Sequence, residues 1–282
     1  MVKVGAHVSI AGSIDRAVDR AEEIGCDTFQ IFSRNPRGWR AKEISEEAAE
    51  EFKRKLHLSA MAPPIDHMPY LPNLATPKDD VYDKSVAALA GELERCELLG
   101  IPYLVTHLGS HLDASKEKGI ERTAEAIIKV LSSVDNEVIL LLETTSGSKN
   151  SVGGSFEDLA DIMRRVGRDD RVGACFDTCH AFVAGYELRT EDGLGETMEE
   201  FDRTVGLERI KVVHLNDSKG PLASKLDRHE HIGLGEIGEE GFRLILGHPG
   251  IRTRPLILET PSDERRDDRG NIAKVRELAG ED

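Results

Sequence analysis

The sequence predicts an α/β protein built as a single (β/α)8 barrel, the TIM-barrel architecture. Eight short runs rich in Val, Ile and Leu alternate with amphipathic stretches along the chain. The length of 282 residues suits such a barrel, which commonly takes about 250 residues. No linker, low-complexity segment or internal repeat divides the chain, so we expect residues 1–282 to form one domain.

The candidate strands share a short, largely apolar character. Several lack alternation of polar and apolar residues, which is typical of parallel strands covered on both faces. They are residues 2–8, 28–32, 61–67, 103–108, 138–144, 172–178, 210–216 and 255–260. Residues 61–67 are the weakest candidate, because two prolines disfavour a central strand.

Amphipathic stripes between these runs predict helices. One helix is expected to begin at Thr76–Pro77, a capping residue followed by Pro at the first helical position. Another is expected to begin at Ser155, which forms a capping-box pattern with Asp158. We expect their apolar stripes to face the core; these are Val86, Leu89, Ala90, Leu93 and Cys96 in the first helix, and Leu159, Ile162, Met163 and Val166 in the second.

Composition limits the function classes. The formal net charge of −15 argues against nucleic-acid binding unless positive charge is clustered locally or supplied by bound cations. Four cysteines without a CxxC pair favour free thiols over a disulfide or a thiolate metal site. No apolar run has the length of a membrane span, and the first residues lack a signal-peptide pattern. We therefore expect a cytoplasmic monomer with no membrane partner.

Seven of the eight apolar runs end in a histidine or an acidic residue, which are side chains that can bind metal ions. They are His7, His67, His107, Glu143, Asp177, His214 and Glu259. Any one of them alone is best interpreted as an ordinary polar group with a satisfied hydrogen bond. Because the active face of such a barrel lies at the carboxyl ends of its strands, seven together predict a site for several metal ions.

Three further residues extend this set. His180 lies one turn beyond the sixth run, and Asp227 and His229 lie in the loop after the seventh. In an extended chain, residues two apart point the same way, so Asp227 and His229 can bind one ion. A His, Asp and Glu set without Cys suits Zn²⁺ or Mn²⁺, and its share of histidines favours zinc.

Four long motifs carry a resemblance to a known family. They are GAHVSIAGS at 5–13, VGACFDTCHAFVAGYELR at 172–189, VHLNDSK at 213–219 and DRHEHIGLGEIG at 227–238. Together they resemble endonuclease IV, a family of zinc-dependent apurinic/apyrimidinic endonucleases with a TIM-barrel fold. The resemblance runs from residue 3 to about residue 260.

The resemblance implies three zinc ions per chain and nine protein ligands. It places the first zinc on His67, His107 and Glu143; the second on Glu143, Asp177, His214 and Glu259; and the third on His180, Asp227 and His229. Three Zn²⁺ carry more charge than their four carboxylate ligands. The centre would therefore attract a phosphodiester although the chain is acidic.

The resemblance also implies the reaction. The expected enzyme cleaves the phosphodiester bond 5′ to abasic sites in duplex DNA, leaving a 3′-hydroxyl and a 5′-deoxyribose phosphate, and also trims blocked 3′ ends. Our hypothesis is that zinc supplies hydroxide at neutral pH. Glu143, Asp177 and Glu259 are the expected catalytic residues: the first two position the metals of the nucleophile, and Glu259 orients it.

Contacts with DNA are expected from two loops. Arg34, Arg37 and Arg40 suit phosphate contacts, although a solvated loop anchored by Trp39 fits the residues equally well. The family uses the position of Arg37 to enter the DNA stack. Tyr70 and Leu71 match the pair that the family inserts beside the flipped-out sugar, while a core Tyr–Leu pair is the alternative. We expect His7 to donate a hydrogen bond to a ligand carboxylate.

Two other functions compete with this interpretation. A divalent-metal sugar isomerase or epimerase on a related barrel would bind one or two ions, and would not require the His180, Asp227 and His229 set. A catalytically silent DNA-binding protein would not need the complete set of nine ligands.

Overall fold

The computed structural model describes residues 1–281 and confirms the predicted barrel. Its strands are β1 (Lys3–Ala6), β2 (Phe29–Ile31), β3 (Pro64–His67), β4 (Tyr103–Thr106), β5 (Ile139–Glu143), β6 (Val172–Asp177), β7 (Ile210–His214), β8 (Asp217–Ser218), β9 (His229–Glu230) and β10 (Pro255–Leu258). All eight predicted strands are present. The prolines of residues 61–67 are accommodated because Pro64 is the first residue of β3, where a strand tolerates proline.

Helices surround the strands. They are α1 (Arg16–Glu23), α2 (Glu46–Ser59), α3 (Asp79–Leu99), α4 (Lys116–Ser133), α5 (Phe156–Val166), α6 (Thr178–Ala184), α7 (Glu191–Thr204), α8 (Gly238–Gly247), α9 (Pro249–Arg252) and α10 (Asp268–Leu278), with a short 3-10 helix at Leu207–Arg209. Within residues 1–281, no helix combines the length and the apolar character that crossing a membrane requires.

The eight barrel strands are parallel, and they lie in the order β1-β10-β7-β6-β5-β4-β3-β2. The ends of this sheet meet at a seam between β1 and β2. There His7 and Gln30 form an isolated parallel bridge, and the Val8 amide donates to the Gln30 carbonyl at 2.8 Å. The short strands β8 and β9 form a separate antiparallel pair beyond the end of β7.

The interior of the barrel is filled by a small apolar layer. Its members are Ile65, Val105, Leu141, Cys175, Val212 and Ile257, all fully buried. Each lies two residues before a predicted ligand, so the side chain at the following inward position emerges at the carboxyl rim. Strand periodicity therefore explains why His67, His107 and the other rim residues converge.

The larger core lies between the sheet and the helices. The stripes predicted for α3 and α5 face it, with Ala90 only partly buried. The predicted start of α3 was wrong, because the helix begins at Asp79 and the Thr76 hydroxyl accepts from the Lys78 amide in a turn ahead of it. Ser155 does cap α5, but without a side-chain bond: Asp158 instead accepts from the Gly153 amide and pairs with Lys116.

Candidate metal centre

The nine predicted ligands lie together at the carboxyl rim of the barrel. His67, Glu143, Asp177 and His214 end β3, β5, β6 and β7. His107 and Glu259 follow β4 and β10 by one residue, His180 lies in α6, and Asp227 and His229 lie at or just before β9. Their donor atoms form the three predicted groups, each with all atoms within 4.8 Å of one another.

Glu143 belongs to two of these groups, and its two oxygens face different partners. Oε2 lies 3.2 Å from His67 Nε2 and 3.0 Å from His107 Nε2. Oε1 lies 3.1 Å from His214 Nδ1 and 3.3 Å from His180 Nδ1. The carboxylate is fully buried, so these two sides of one side chain are the link between the first and second groups.

Asp177, His214 and Glu259 complete the second group around Glu143. His214 Nδ1 lies 3.8 Å from Asp177 Oδ2 and 3.4 Å from Glu259 Oε2. Asp177 Oδ1 accepts from the His180 amide at 2.8 Å, which caps α6 and fixes the carboxylate. The turn from β6 into α6 thus sets Asp177 and His180 in one rigid segment.

The third group joins α6 to the β8–β9 hairpin. His180 Nε2 lies 3.3 Å from Asp227 Oδ1, and His229 Nε2 lies 3.9 Å from the same oxygen. Asp227 lies just ahead of β9 and His229 is the first residue of β9, and their donor atoms lie within 4.8 Å of each other and of a His180 nitrogen.

The donor chemistry of the three groups fits divalent metal. His229 Nε2 is buried and has no hydrogen-bond partner among residues 1–281. His67 and His229 each direct Nδ1 to a backbone carbonyl, of Met68 at 2.7 Å and of Glu259 at 3.1 Å. Since a carbonyl only accepts, Nδ1 carries the proton in each ring, and Nε2 offers its lone pair to the centre. His180 does the same through Thr144, at 2.9 Å.

Electrostatics at the centre favour bound cations. Burial opposes ionisation of Glu143, but His107 and His214 outweigh it and hold the pKa of Glu143 well below its usual value. Burial acts to lower the pKa of His180, yet Asp177 and other carboxylates outweigh it and raise that pKa well above normal. The ionised acids thus stabilise positive charge on their neighbours, whether it comes from protons or from metal.

Gln30 is a part of the centre that sequence reasoning missed. It lies on β2, the one run that ends in neither a histidine nor an acid, and it is fully buried. Its amide contacts His214 Nε2 at 2.8 Å, Glu259 Oε1 at 2.7 Å and His7 Nδ1 at 3.0 Å. It is the only glutamine in the chain, which was an available signal. His7 was expected to bond a ligand carboxylate directly; its Nδ1 bonds Gln30 instead, and Glu259 lies 3.7 Å away.

Asn216 is a second residue that sequence reasoning missed. Its Nδ2 donates to Asp177 Oδ2 at 2.9 Å, and its Oδ1 accepts from the Glu259 amide at 2.8 Å. The side chain therefore ties two predicted ligands from β6 and β10 together. Its position within the VHLNDSK motif, two residues after His214, was the signal.

The predicted DNA-contacting residues lie in loops at the same rim. Arg37 is exposed, and the exposed fractions of Tyr70 and Leu71 are 63% and 39%. The Tyr70 ring lies 6.2 Å from the His107 ring, so it stands directly beside the first group. The alternative of a core Tyr–Leu pair is excluded by this exposure. Arg34 fits neither alternative left open for its loop, a phosphate contact or a solvated side chain, because it is buried in an ion pair with Glu92.

Comparisons with known proteins identify relatives along the whole chain. A family model described as "Xylose isomerase-like TIM barrel" matches residues 18–279. A protein of Methanoculleus marisnigri named "Probable endonuclease 4" is 60% identical, over 99% of this chain and 100% of its own length. A protein of Cenarchaeum symbiosum with the same name is 56% identical, over 99% and 100%.

Solved structures agree with these relatives. Endonuclease IV from Thermus thermophilus superposes with a TM-score of 0.88 at 39% identity, covering 99% of this chain and 100% of that one. A D-tagatose 3-epimerase-like protein superposes with a TM-score of 0.71 at 18% identity, covering 98% and 96%. The second likeness is one of fold alone.

Proposed function

The chain belongs to the endonuclease IV family, and we propose on that basis that it is a DNA-repair hydrolase that cleaves the phosphodiester bond 5′ to abasic sites in duplex DNA. The products would be a 3′-hydroxyl and a 5′-deoxyribose phosphate. Removal of blocked 3′ ends is proposed as a second activity, since it requires hydrolysis of the same type of bond at the same centre.

One observation carries this proposal. The buried Glu143 carboxylate directs its two oxygens to two different groups of potential ligands, and a third group completes the rim. Two or more metal ions held close together form a clamp suited to displacement at phosphorus. An arrangement of this kind suits an anionic phosphodiester better than a neutral sugar.

The proposed cofactor is zinc, with three ions per chain. His67, His107 and Glu143 would hold one ion; Glu143, Asp177, His214 and Glu259 a second; and His180, Asp227 and His229 a third. Bound zinc would supply Lewis acidity and lower the pKa of water at the site. The histidine-rich, cysteine-free ligand set is the reason for preferring zinc over magnesium or calcium.

Glu143, Asp177 and Glu259 are the residues to which we assign direct roles at the reacting atoms. Glu143 joins the first two groups, and Asp177 fixes the second group relative to α6 through its contact with the His180 amide. Glu259 reaches the second group with Oε2 while Gln30 holds Oε1. It is therefore oriented to accept a hydrogen bond from the attacking water.

Recognition of DNA is proposed for the exposed side chains beside the centre. Tyr70 and Leu71 would fill the space beside an extruded abasic sugar, and Arg37 would contact the duplex from the neighbouring loop after β2. Extrusion costs less at an abasic nucleotide because there is no base to unstack, which gives selectivity for damage without reading a base.

A defined duplex with one abasic site tests the proposal. We expect cleavage 5′ to the site, loss of cleavage after chelation, and recovery when zinc is returned. Metal counting in parallel should give three zinc ions per chain, whereas a sugar epimerase would hold one or two. Intact duplex after incubation with the zinc-loaded protein would contradict the proposed function.

A further inference from the structure

Within residues 1–281, Gln30 occupies the one position of the rim at which a barrel strand supplies neither a histidine nor an acid. Seven barrel strands deliver a histidine or an acid to the rim, and β2 delivers an amide instead. Its three partners, His7, His214 and Glu259, lie at the ends of β1, β7 and β10. The side chain is fully buried, so each of its polar atoms must be satisfied within the protein.

The orientation of the Gln30 amide is fixed by chemistry. Glu259 Oε1 lies 2.7 Å from one end of the amide, and an ionised carboxylate only accepts hydrogen bonds. That end must therefore be the NH2 group, which also donates to His7 Nδ1 at 3.0 Å. The carbonyl oxygen is left to face His214 Nε2 at 2.8 Å. It must accept, so Nε2 of His214 carries the proton.

This protonation sets which nitrogen of His214 faces the centre. With the proton on Nε2, the neutral ring presents the lone pair of Nδ1, which lies among Glu143, Asp177 and Glu259. The three rings of His67, His180 and His229 have the opposite arrangement, because backbone carbonyls hold Nδ1–H. His214 is thus the ring whose outward proton is held by a side chain, and a substitution can remove that side chain.

Gln30 acts on Glu259 as well. The NH2 group occupies Oε1, and only Oε2 faces His214 Nδ1, at 3.4 Å. Glu259 is therefore offered to the centre through one oxygen. A single neutral residue fixes the ring form of one ligand and the presenting oxygen of another.

We propose that Gln30 is a positioning residue that presets His214 Nδ1 and Glu259 Oε2 for metal binding. This inference rests on the proposed zinc centre and adds a determinant of its affinity that lies outside the nine ligands. Residues that hold the outer nitrogen of a metal-binding histidine commonly affect metal affinity by about 10- to 100-fold.

The test compares Gln30→Met with Phe29→Leu. Methionine keeps the length of the side chain and removes both the donor and the acceptor. Phe29 is the preceding residue of β2; it faces α2, packing edge-to-face on Phe52, so Phe29→Leu loosens the same strand without touching the centre. Zinc retention is measured against a competing chelator of known affinity. The free zinc concentration at which the weakest site is half occupied should be roughly 10- to 100-fold higher for Gln30→Met than for the wild type. For Phe29→Leu that concentration should equal the wild-type value.

A second measurement needs no variant. Nitrogen-15 NMR of histidine-labelled, zinc-loaded wild type should show His214 protonated on Nε2, and His67, His180 and His229 protonated on Nδ1. Equal zinc retention by Gln30→Met and the wild type, or a His214 ring protonated on Nδ1, would overturn the role of Gln30. If the wild type cleaves an abasic duplex normally in that case, the proposed function stands and only this inference fails. A wild-type protein that binds no zinc would contradict both the proposed zinc-dependent function and the role of Gln30.

Discussion

Arg34, in the loop after β2, and Glu92, on α3, form an ion pair whose side chains are only 3% and 1% exposed. Arg34 also donates to the backbone carbonyls of Gly38 at 3.2 Å and Trp39 at 3.0 Å. The pair therefore holds the shape of the loop that carries Arg37. Arg34, for which the sequence suggests a phosphate contact, instead has a structural role beneath the surface.

Glu92→Leu should destabilise the protein strongly. The change leaves the Arg34 charge buried without its partner, and breaking a buried pair in this way costs about 3–5 kcal/mol of unfolding free energy. Urea denaturation monitors the effect. The matched control is the double variant Arg34→Met with Glu92→Leu, which removes both charges of this pair and, among ion pairs, leaves only the longer Arg95–Glu92 contact of 3.9 Å broken, so a large part of the stability should return. Equal losses in the single and double variants would contradict this account.

Glu143→Gln should reduce turnover on an abasic duplex by roughly 100-fold or more, because a ligand shared by two groups matters at least as much as a residue that only orients a ligand. Zinc content per chain should fall as well. Glu199→Gln, an exposed change on α7, is the control and should leave both quantities unchanged. Normal turnover in a folded Glu143→Gln protein would rule out the bridging role.

Tyr70→Ala should weaken binding of an abasic duplex by about 10-fold, in line with about 1–3 kcal/mol for stacking by an aromatic side chain. Zinc content should not change, since Tyr70 is not among the ligands. Leu58→Ala removes an apolar side chain that is 69% exposed in the last turn of α2, and it is expected to have no effect. The measurement is a fluorescence titration of labelled duplex. An unaltered affinity for the abasic duplex would contradict a DNA contact by Tyr70.

Arg37→Ala should flatten the dependence of DNA affinity on salt. Each cation that displaces counterions from phosphate contributes about 0.9 to the slope of log affinity against log salt concentration. Titrations over a series of salt concentrations give the slope for the wild type, for Arg37→Ala and for Arg54→Ala on α2. Only Arg37→Ala should lower the slope. A slope for Arg37→Ala equal to that of the wild type would show that Arg37 does not contact the DNA phosphates.

The Glu187–Arg189 pair, which lies away from the metal centre, is expected to make the stability of the folded protein depend on pH in the acid range. Hydrogen bonds from the Arg189 side chain lower the pKa of Glu187 from 4.5 to about 2, against a smaller effect of burial. Because the pKa is depressed in the folded state, this stabilisation is present above pH 4.5 and is lost as the pH falls toward 2. The pair is partly exposed, so its contribution is at most about 1 kcal/mol.

Glu187→Gln should therefore lower the thermal midpoint at pH 7 and approach the wild type at low pH. Both proteins are compared after chelation, so that loss of metal in acid affects them equally. A constant difference between them at every pH would argue against the ionised pair.

The fold was predictable because the barrel imposes one repeating pattern. Eight apolar runs were sufficient to locate every barrel strand, and the inward alternation explains why His67 and His107 share a rim. The start of α3 was missed because the Thr76 hydroxyl caps a turn as readily as a helix. Helix ends depend on such local competition, which periodicity does not resolve.

The residues around the ligands were less predictable than the ligands. Gln30 is the only glutamine in the chain and Asn216 lies within the VHLNDSK motif, but neither signal tells which side chains the amide contacts. Their roles emerge only from distances to residues remote in sequence, such as that from Gln30 to Glu259. The buried role of Arg34 could not be predicted for the same reason, because its partner Glu92 lies on another element.

The seam at His7 and Gln30 has a consequence for behaviour at high concentration. It gives β1 and β2 a neighbour where an open sheet would have two free edges. Among residues 1–281, no barrel strand therefore offers an uncovered row of backbone groups to which a strand of a second molecule could add. Closure of the ring protects the protein from edge-to-edge aggregation, and the residue that completes that closure is also the one that orients His214.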